Sequence, residues 1–147
     1  MTKRRTQVLK IHSLDHRWHD KDEVLLHTAF QVLADFIEKE QPDRYIDWST
    51  NALHKHAWRE IKHLYKWWRE KRPARRSPFD DKQLIIPPLK FKKIPDSELH
   101  QMVEPDRKKY AVYYRALRQE ARLEQKWYEE DQRNLHRLIE VRGFLWT

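Results

Sequence analysis

Apolar side chains recur every three or four residues in the first half of the chain, which is the spacing of one face of an α-helix. The first stripe has gaps of four, three and four positions and consists of Leu26, Phe30, Leu33 and Ile37. The second consists of Leu53, Ala57, Ile61, Leu64 and Trp68. Asp20 followed by Glu23 suits a capped start of the first helix, and Ser49 or Asn51 suits the start of the second. The pattern predicts two helices, over residues 20–41 and 50–72, which we expect to pack as an antiparallel pair.

The pattern changes between residues 73 and 104, where five of the seven prolines lie. Proline fixes an extended backbone and cannot join a central strand, so no long helix and no central strand fits here. The stretch predicts an extended proline-rich crossover that lies over the helices. Residues 96–102 are compatible with a short helix capped by Asp96 or Ser97.

Helical character returns in the last segment, and it predicts a long helix over residues 105–142. Pro105 suits a first helical position, and Gly143 suits the residue just after a helix. The apolar stripe is interrupted at Glu124 and Asp131. We therefore expect a bent helix, a break between Glu130 and Asn134, or a section that projects into solvent or a partner. The apolar C-terminus, residues 144–146, is expected to pack back on the core.

Together these elements predict an all-α fold, a small helical bundle in which the helix pair packs against the long C-terminal helix. A chain of 147 residues has the usual length of a single domain, with residues 1–19 as a basic tail. One glycine and no cysteine exclude glycine-rich phosphate loops, disulfides and thiolate chemistry. No apolar run reaches the length of a membrane span and no signal peptide is evident, so we expect a soluble intracellular protein without a membrane partner.

Basic side chains are concentrated in residues 62–93, which hold eleven basic and three acidic residues in a chain of net charge +8. Cations beside flat aromatic rings are typical of single-stranded nucleic-acid binding. The pattern predicts contact with nucleic acid or an acidic partner through Lys66, Trp67, Arg69, Arg72, Arg75, Arg76, Lys90, Lys92 and Lys93. In this hypothesis Trp67 stacks on a base. The alternative is a core tryptophan at position 68 covered by arginine side chains at an ordinary helix end.

Aromatic residues are also abundant, and most of the seven tryptophans are expected to fill the core. The long helix is too long to be covered by the two shorter ones. We therefore predict a protein interface on it, which in one version joins two copies of the chain as a homodimer. The residues proposed for that interface are Tyr110, Tyr113, Tyr114, Trp127 and Tyr128.

Histidine and aspartate cluster near the N-terminus, and imidazole and carboxylate suit zinc, manganese or iron. The cluster consists of His12, His16, His19, Asp20, Asp22 and His27. No second group at a ligand-like spacing completes it, so surface and capping roles are favoured, and no metal or other cofactor is expected. A metal-dependent hydrolase is kept as the third functional hypothesis.

Three blocks carry a resemblance to known proteins: residues 33–40, residues 57–75 with the run LYKWWREKRPAR, and residues 134–147 with the ending LIEVRGFLWT. In these blocks the chain resembles a group of small tailed-bacteriophage proteins to which no activity is assigned. The resemblance implies a phage origin and a setting in the host cytoplasm or the virion. We therefore expect a non-enzymatic accessory or virion-associated protein that contacts a phage or host protein, with a nucleic-acid-binding protein as the alternative.

Overall fold

The structure is a computed structural model that describes residues 8–146, so residues 1–7 of the predicted tail and Thr147 lie outside the described residues. The chain is mostly helical, as predicted. It separates into two compact units, which we call the helical unit (residues 8–75 and 129–146) and the hairpin unit (Arg76–Tyr128). The single-domain organisation of residues 1–147 stays a prediction.

The two predicted N-terminal helices are present in the helical unit. Helix α1 covers Lys21–Asp35 and continues as a π-helical turn over Phe36–Glu40. Helix α2 covers Ala52–Lys66 and also continues as a π-helical turn, Trp67–Lys71. Asn51 caps α2 by accepting a 2.9 Å hydrogen bond from the His54 amide. Asp20 precedes α1, but its side chain accepts no capping bond, so the predicted side-chain cap does not form.

The core of the helical unit lies between α1, α2 and the C-terminal end of the long helix. Phe30 stacks on Trp68 with ring centroids 4.7 Å apart, and Leu138 and Val141 complete the same cluster. Its buried members are Leu26, Phe30, Leu33, Phe36, Trp48, Ala57, Ile61, Leu64, Trp67, Trp68, Leu138 and Val141. The two predicted apolar stripes are therefore largely confirmed. Leu53 of the second stripe is the exception, because it is 70% exposed and does not belong to the core.

Helix α3 covers Ala111–Glu140 without interruption, so of the three alternatives for this segment the break between Glu130 and Asn134 is wrong. It also begins later than predicted, since turns occupy residues 107–110. A short 3-10 turn over Arg142–Phe144 follows it, and Gly143 has no positive φ. Of the C-terminal apolar residues, Phe144 and Leu145 pack against the core as expected, whereas Trp146 is exposed.

The hairpin unit contains two short strands that were not predicted. Strand β1 (Phe91–Lys93) pairs antiparallel with strand β2 (His100–Met102) in the register Phe91↔Met102, Lys92↔Gln101 and Lys93↔His100. The turn between them and strand β2 occupy residues 96–102, for which a short helix was compatible with the sequence. Pro95 and Asp96 are the central residues of the turn, and the Ser97 amide donates to the Ile94 carbonyl at 3.3 Å. Asp96 has a φ of 58°, as the third position of a type II turn requires.

Candidate interaction surfaces

The basic segment that follows α2 is hydrogen-bonded to acidic residues of α3 inside the helical unit. Arg72 donates to both carboxylate oxygens of Asp131 at 3.1 Å. Arg75 donates to Asp131 at 2.8 Å and to Glu130 at 3.2 Å. Trp67 donates its indole N–H to Glu130 as well. These five residues form one hydrogen-bonded cluster.

The carboxylates of this cluster remain ionised because of their partners. Burial alone would raise the pKa of Asp131, but the hydrogen bonds from Arg72 and Arg75 outweigh it and lower that pKa. Burial likewise opposes ionisation of Glu130, whose pKa is lowered by hydrogen bonds from Trp67 and Arg75. The positive charge of Arg72 and Arg75 is therefore matched within the chain.

The predicted role of Trp67 needs correction. Its side chain is only 3% exposed and its N–H is bonded to Glu130, so its ring has no open face on which a base could stack. Arg69 is also engaged, since it donates to both oxygens of Glu38 at 2.6 and 2.8 Å. Tyr65 donates to the same carboxylate at 2.7 Å. Sequence reasoning missed the acidic partners Glu38 and Glu130, and it treated Asp131 as an interruption of the stripe.

The nine residues predicted to contact nucleic acid or an acidic partner are divided between the two units. Five belong to the helical unit: Lys66, Trp67, Arg69, Arg72 and Arg75. Lys66 is the most accessible of these, with Glu70 4.0 Å away. The other four belong to the hairpin unit: Arg76, Lys90, Lys92 and Lys93. All four are exposed, and the three lysines lie on or beside β1.

The aromatic residues predicted as an interface on the long helix differ in accessibility. Tyr113 is half-buried against Phe79, with ring centroids 6.0 Å apart. Tyr114 is half-buried and donates to the Pro105 carbonyl at 2.8 Å. Tyr110 and Trp127 are also half-buried, whereas Tyr128 is exposed. A protein interface or homodimer through α3 stays a prediction.

The hairpin and the segment leading into it expose many large apolar side chains. Seven lie within residues 85–102: Ile85, Ile86, Leu89, Phe91, Ile94, Leu99 and Met102. Ile85 is 74% exposed, and Phe91 is 61% exposed opposite Met102 in the strand pair. We call these seven residues with Lys90, Lys92 and Lys93 the hairpin surface. The sequence signal for this surface is the apolar run at residues 84–91, which belongs to the predicted crossover over the helices.

Three N-terminal side chains, those of Asp15, His19 and His27, are held by local contacts. Side-chain and backbone hydrogen bonds from Arg17 hold the pKa of Asp15 at about 2, and His19 approaches the same carboxylate at 2.9 Å. His27 is buried and shares a 2.7 Å hydrogen bond with Ser13. Among residues 8–146, no three His, Asp or Glu side chains are arranged to hold a metal ion. The hypothesis of a metal-dependent hydrolase gains no support from this arrangement.

Within the same described range, no helix combines the length and apolar character needed to cross a membrane. Comparison with protein-family models, curated proteins and solved structures finds no match.

Proposed function

We propose that this protein acts by contact with another protein and not as an enzyme, as a phage accessory or virion-associated protein in the host cytoplasm or the virion. The observation that carries the proposal is the exposure of the hairpin surface. Exposed apolar patches are typical of a surface that a partner covers, and in the strand pair Phe91 lies opposite Met102 with both residues exposed. Burying one Ile, Leu or Phe side chain contributes roughly 1.5–3 kcal/mol, so a few of them supply a substantial part of a binding free energy.

The charge of the hairpin unit indicates the kind of partner. Its sequence holds twelve basic and eight acidic residues. No ion pair among the described residues engages Lys90 or Lys92, and Lys93 lies 3.8 Å from a highly exposed Glu98. A protein with apolar and acidic side chains on its binding surface would complement both features.

The proposal also includes the finer arrangement of the fold. The connection between α1 and α2 covers only residues 41–51, and a short connection favours an antiparallel pair in a bundle. In this arrangement the helix pair and the C-terminal part of α3 serve as the stable scaffold. Contact with the partner is assigned to the hairpin unit.

Affinity capture from a lysate of phage-infected cells tests the proposal with two double variants. Ile85→Ser/Phe91→Ser removes apolar contacts of the hairpin surface. Leu25→Ser/Leu53→Ser is the matched control, because these residues are 64% and 70% exposed in the helical unit. We expect a protein retained by the wild type and by the control to be lost from the hairpin variant. Equal retention by both variants, or no retained protein at all, contradicts the proposal.

Nucleic-acid binding is the second candidate, because the exposed Lys90 and Lys92 flank an exposed Phe91 in the sequence of the hairpin surface. Fluorescence anisotropy with labelled DNA and RNA at about 50 and 200 mM salt tests it, since phosphate contacts lose most of their affinity in this range. Lys90→Ala/Lys92→Ala/Lys93→Ala is the informative variant. Binding that persists at the higher salt and is lost from this variant would favour the second candidate.

A further inference from the structure

The hairpin leaves one hydrogen-bonding edge of each strand unpaired. The Val103 amide donates to the Lys90 carbonyl at 2.7 Å, and the Ile94 amide donates to the Leu99 carbonyl at 3.0 Å. In an antiparallel pair, bonded and non-bonded residue pairs alternate. The pair Phe91↔Met102 and the pair Lys93↔His100 are therefore non-bonded, and their N–H and C=O groups point away from the hairpin. Among the described residues the sheet has two strands only, so no third strand covers either edge.

The two edges differ in charge. Strand β1 runs through the sequence Lys90-Phe91-Lys92-Lys93. Strand β2 carries no acidic residue itself but is flanked by Glu98 and Glu104. Lysines on an edge strand oppose pairing with a like-charged strand, including a second copy of β1. The same lysines attract an acidic strand. The edge of β1 therefore has a preference for acidic partners that the edge of β2 lacks.

We propose that the edge of β1 binds an extended acidic segment of the protein partner, which adds to the sheet as a third strand. This inference rests on the proposed function and names the partner's chemistry. Main-chain hydrogen bonds to Phe91 and Lys93 would hold the segment, as in other cases of strand addition. Acidic side chains would lie beside Lys92 on one face, and an apolar side chain would cover Phe91 on the other.

Synthetic peptides provide the test with the full-length protein. The probe is an end-blocked eight-residue peptide that alternates Glu and Val, and the matched control alternates Lys and Val. We expect the Glu peptide to bind in a fluorescence anisotropy titration and the Lys peptide not to bind. Lys92→Glu/Lys93→Glu in the protein should weaken binding of the Glu peptide about tenfold or more. Failure of the Glu peptide to bind at concentrations up to about 1 mM, a weak affinity limit, overturns the inference.

Backbone methylation separates strand addition from simple charge attraction. In an extended peptide the amides of alternate residues face the same edge, so N-methylation of all Glu or of all Val residues blocks one edge at a time. We expect one methylated peptide to lose binding about tenfold or more and the other to keep it. The amides of Phe91 and Lys93 should also exchange hydrogen more slowly in the complex, whereas that of Lys92 already bonds within the hairpin. Equal binding of both methylated peptides overturns the inference.

The two experiments distinguish a failure of strand addition from a failure of the proposed function. If lysate capture depends on Ile85 and Phe91 but the Glu peptide does not bind, the protein contact stands and strand addition is wrong. If capture is insensitive to the hairpin variant, the proposed function itself is contradicted.

Discussion

Asp131 joins two arginines that lie 59 and 56 positions earlier in the chain. Both pairs are partly shielded from solvent, with the side chains of Arg72, Arg75 and Asp131 all less than a quarter exposed. An ion pair in such a setting is weakened less by salt than an exposed one. Removing one partner also leaves the other charge poorly compensated. At the residue scale, Arg72 and Arg75 are therefore expected to contribute more to the stability of the helical unit than to binding.

Arg72→Ala is expected to lower the free energy of unfolding by about 1–3 kcal/mol, because Asp131 then loses two charge-assisted hydrogen bonds. Urea unfolding followed by tryptophan fluorescence measures the change. Lys66→Ala is the control, since Lys66 is exposed and its carboxylate neighbour is 4.0 Å away. If the two variants lose the same small amount of stability, Arg72 does not have this structural role.

His27 connects the N-terminal segment to the core. Burial lowers its pKa, and the positive charge of Arg72 lowers it further, while Glu23 and Asp131 oppose the shift and His19 adds to it. Its ring also packs edge-on against Trp68 at 4.8 Å. Its Nε2 atom has no hydrogen-bond partner among the described residues. Protonation would therefore place a charge on a buried ring, which Glu23, with its Oε1 atom 4.0 Å from Nε2, and Asp131 compensate only in part.

The stability of the protein is expected to fall as the pH drops below about 6.5, the ordinary pKa of histidine in an unfolded chain. Between that value and the lowered pKa of folded His27, the unfolded state binds more protons, so stability rises with pH in this window. Urea unfolding at several pH values between 5 and 8 measures the slope. His27→Gln should remove this contribution, whereas His136→Gln, at an exposed position, should not. A slope unchanged in His27→Gln contradicts the expectation.

At the element scale, left-handed backbone occurs where the chain has no glycine. Gln41, which ends the π-helical turn after α1, has a φ of 49°. Asp96 has a φ of 58° in the hairpin turn. Gly143, the single glycine, has no positive φ, and a Cβ added there would meet no atom within 4 Å. The sequence rule that places glycine after a helix therefore identified the end of α3 but not its geometry.

Gly143→Ala is expected to stabilise the protein by about 0.4–1 kcal/mol, because alanine restricts the unfolded chain and fits the 3-10 turn without a clash. Thermal unfolding followed by circular dichroism measures the change. A loss of stability would show that position 143 requires a conformation reserved for glycine.

Gln41→Gly should also stabilise the protein, for the opposite reason. A non-glycine residue in the left-handed region destabilises the folded state by roughly 1–2 kcal/mol, and glycine removes this strain. Glycine also makes the unfolded chain more flexible, which lowers the free energy of unfolding by about 0.5–1 kcal/mol. The net gain expected is about 0.5–1 kcal/mol, measured by the same thermal unfolding. Gln41→Ala is the control, since alanine retains the strain. A gain from alanine equal to that from glycine would contradict this reason.

The helices were predictable because their signal is local. Phe30 and Leu33 follow the helical spacing within α1, and Ile61 and Leu64 follow it within α2. All four residues are fully buried. The continuity of α3 was not predictable, because Asp131, which interrupts its stripe, pairs with Arg72 and Arg75 beyond the end of α2. The hairpin was missed because its three-residue strands are exposed on both faces and have no alternation of apolar and polar residues. The hairpin surface was missed for the same reason, because its apolar residues are exposed and no burial pattern in the sequence indicates them.

At the scale of the whole molecule, the two units differ in how much they bury. The helical unit has a core of twelve buried apolar residues. In the hairpin unit the buried residues are Pro87 and Ala116. Local opening of a structure requires little free energy where few apolar contacts are lost. The hairpin unit is therefore expected to open more readily than the helical unit when the protein is alone.

Hydrogen exchange measured on the full chain tests this difference. We expect the amides in the middle of α1 and α2 to exchange only on global unfolding, because their release exposes the core. The hairpin amides that donate within the sheet, including Val103 and Ile94, should exchange at least about a hundredfold faster, since local opening suffices there. Asp96→Gly serves as a control on the hairpin, because a relaxed turn should slow these amides and leave those of α1 unchanged. Equal protection of both sets would show that the hairpin is as stable as the core, and exposure of its apolar residues would then need no partner to explain it.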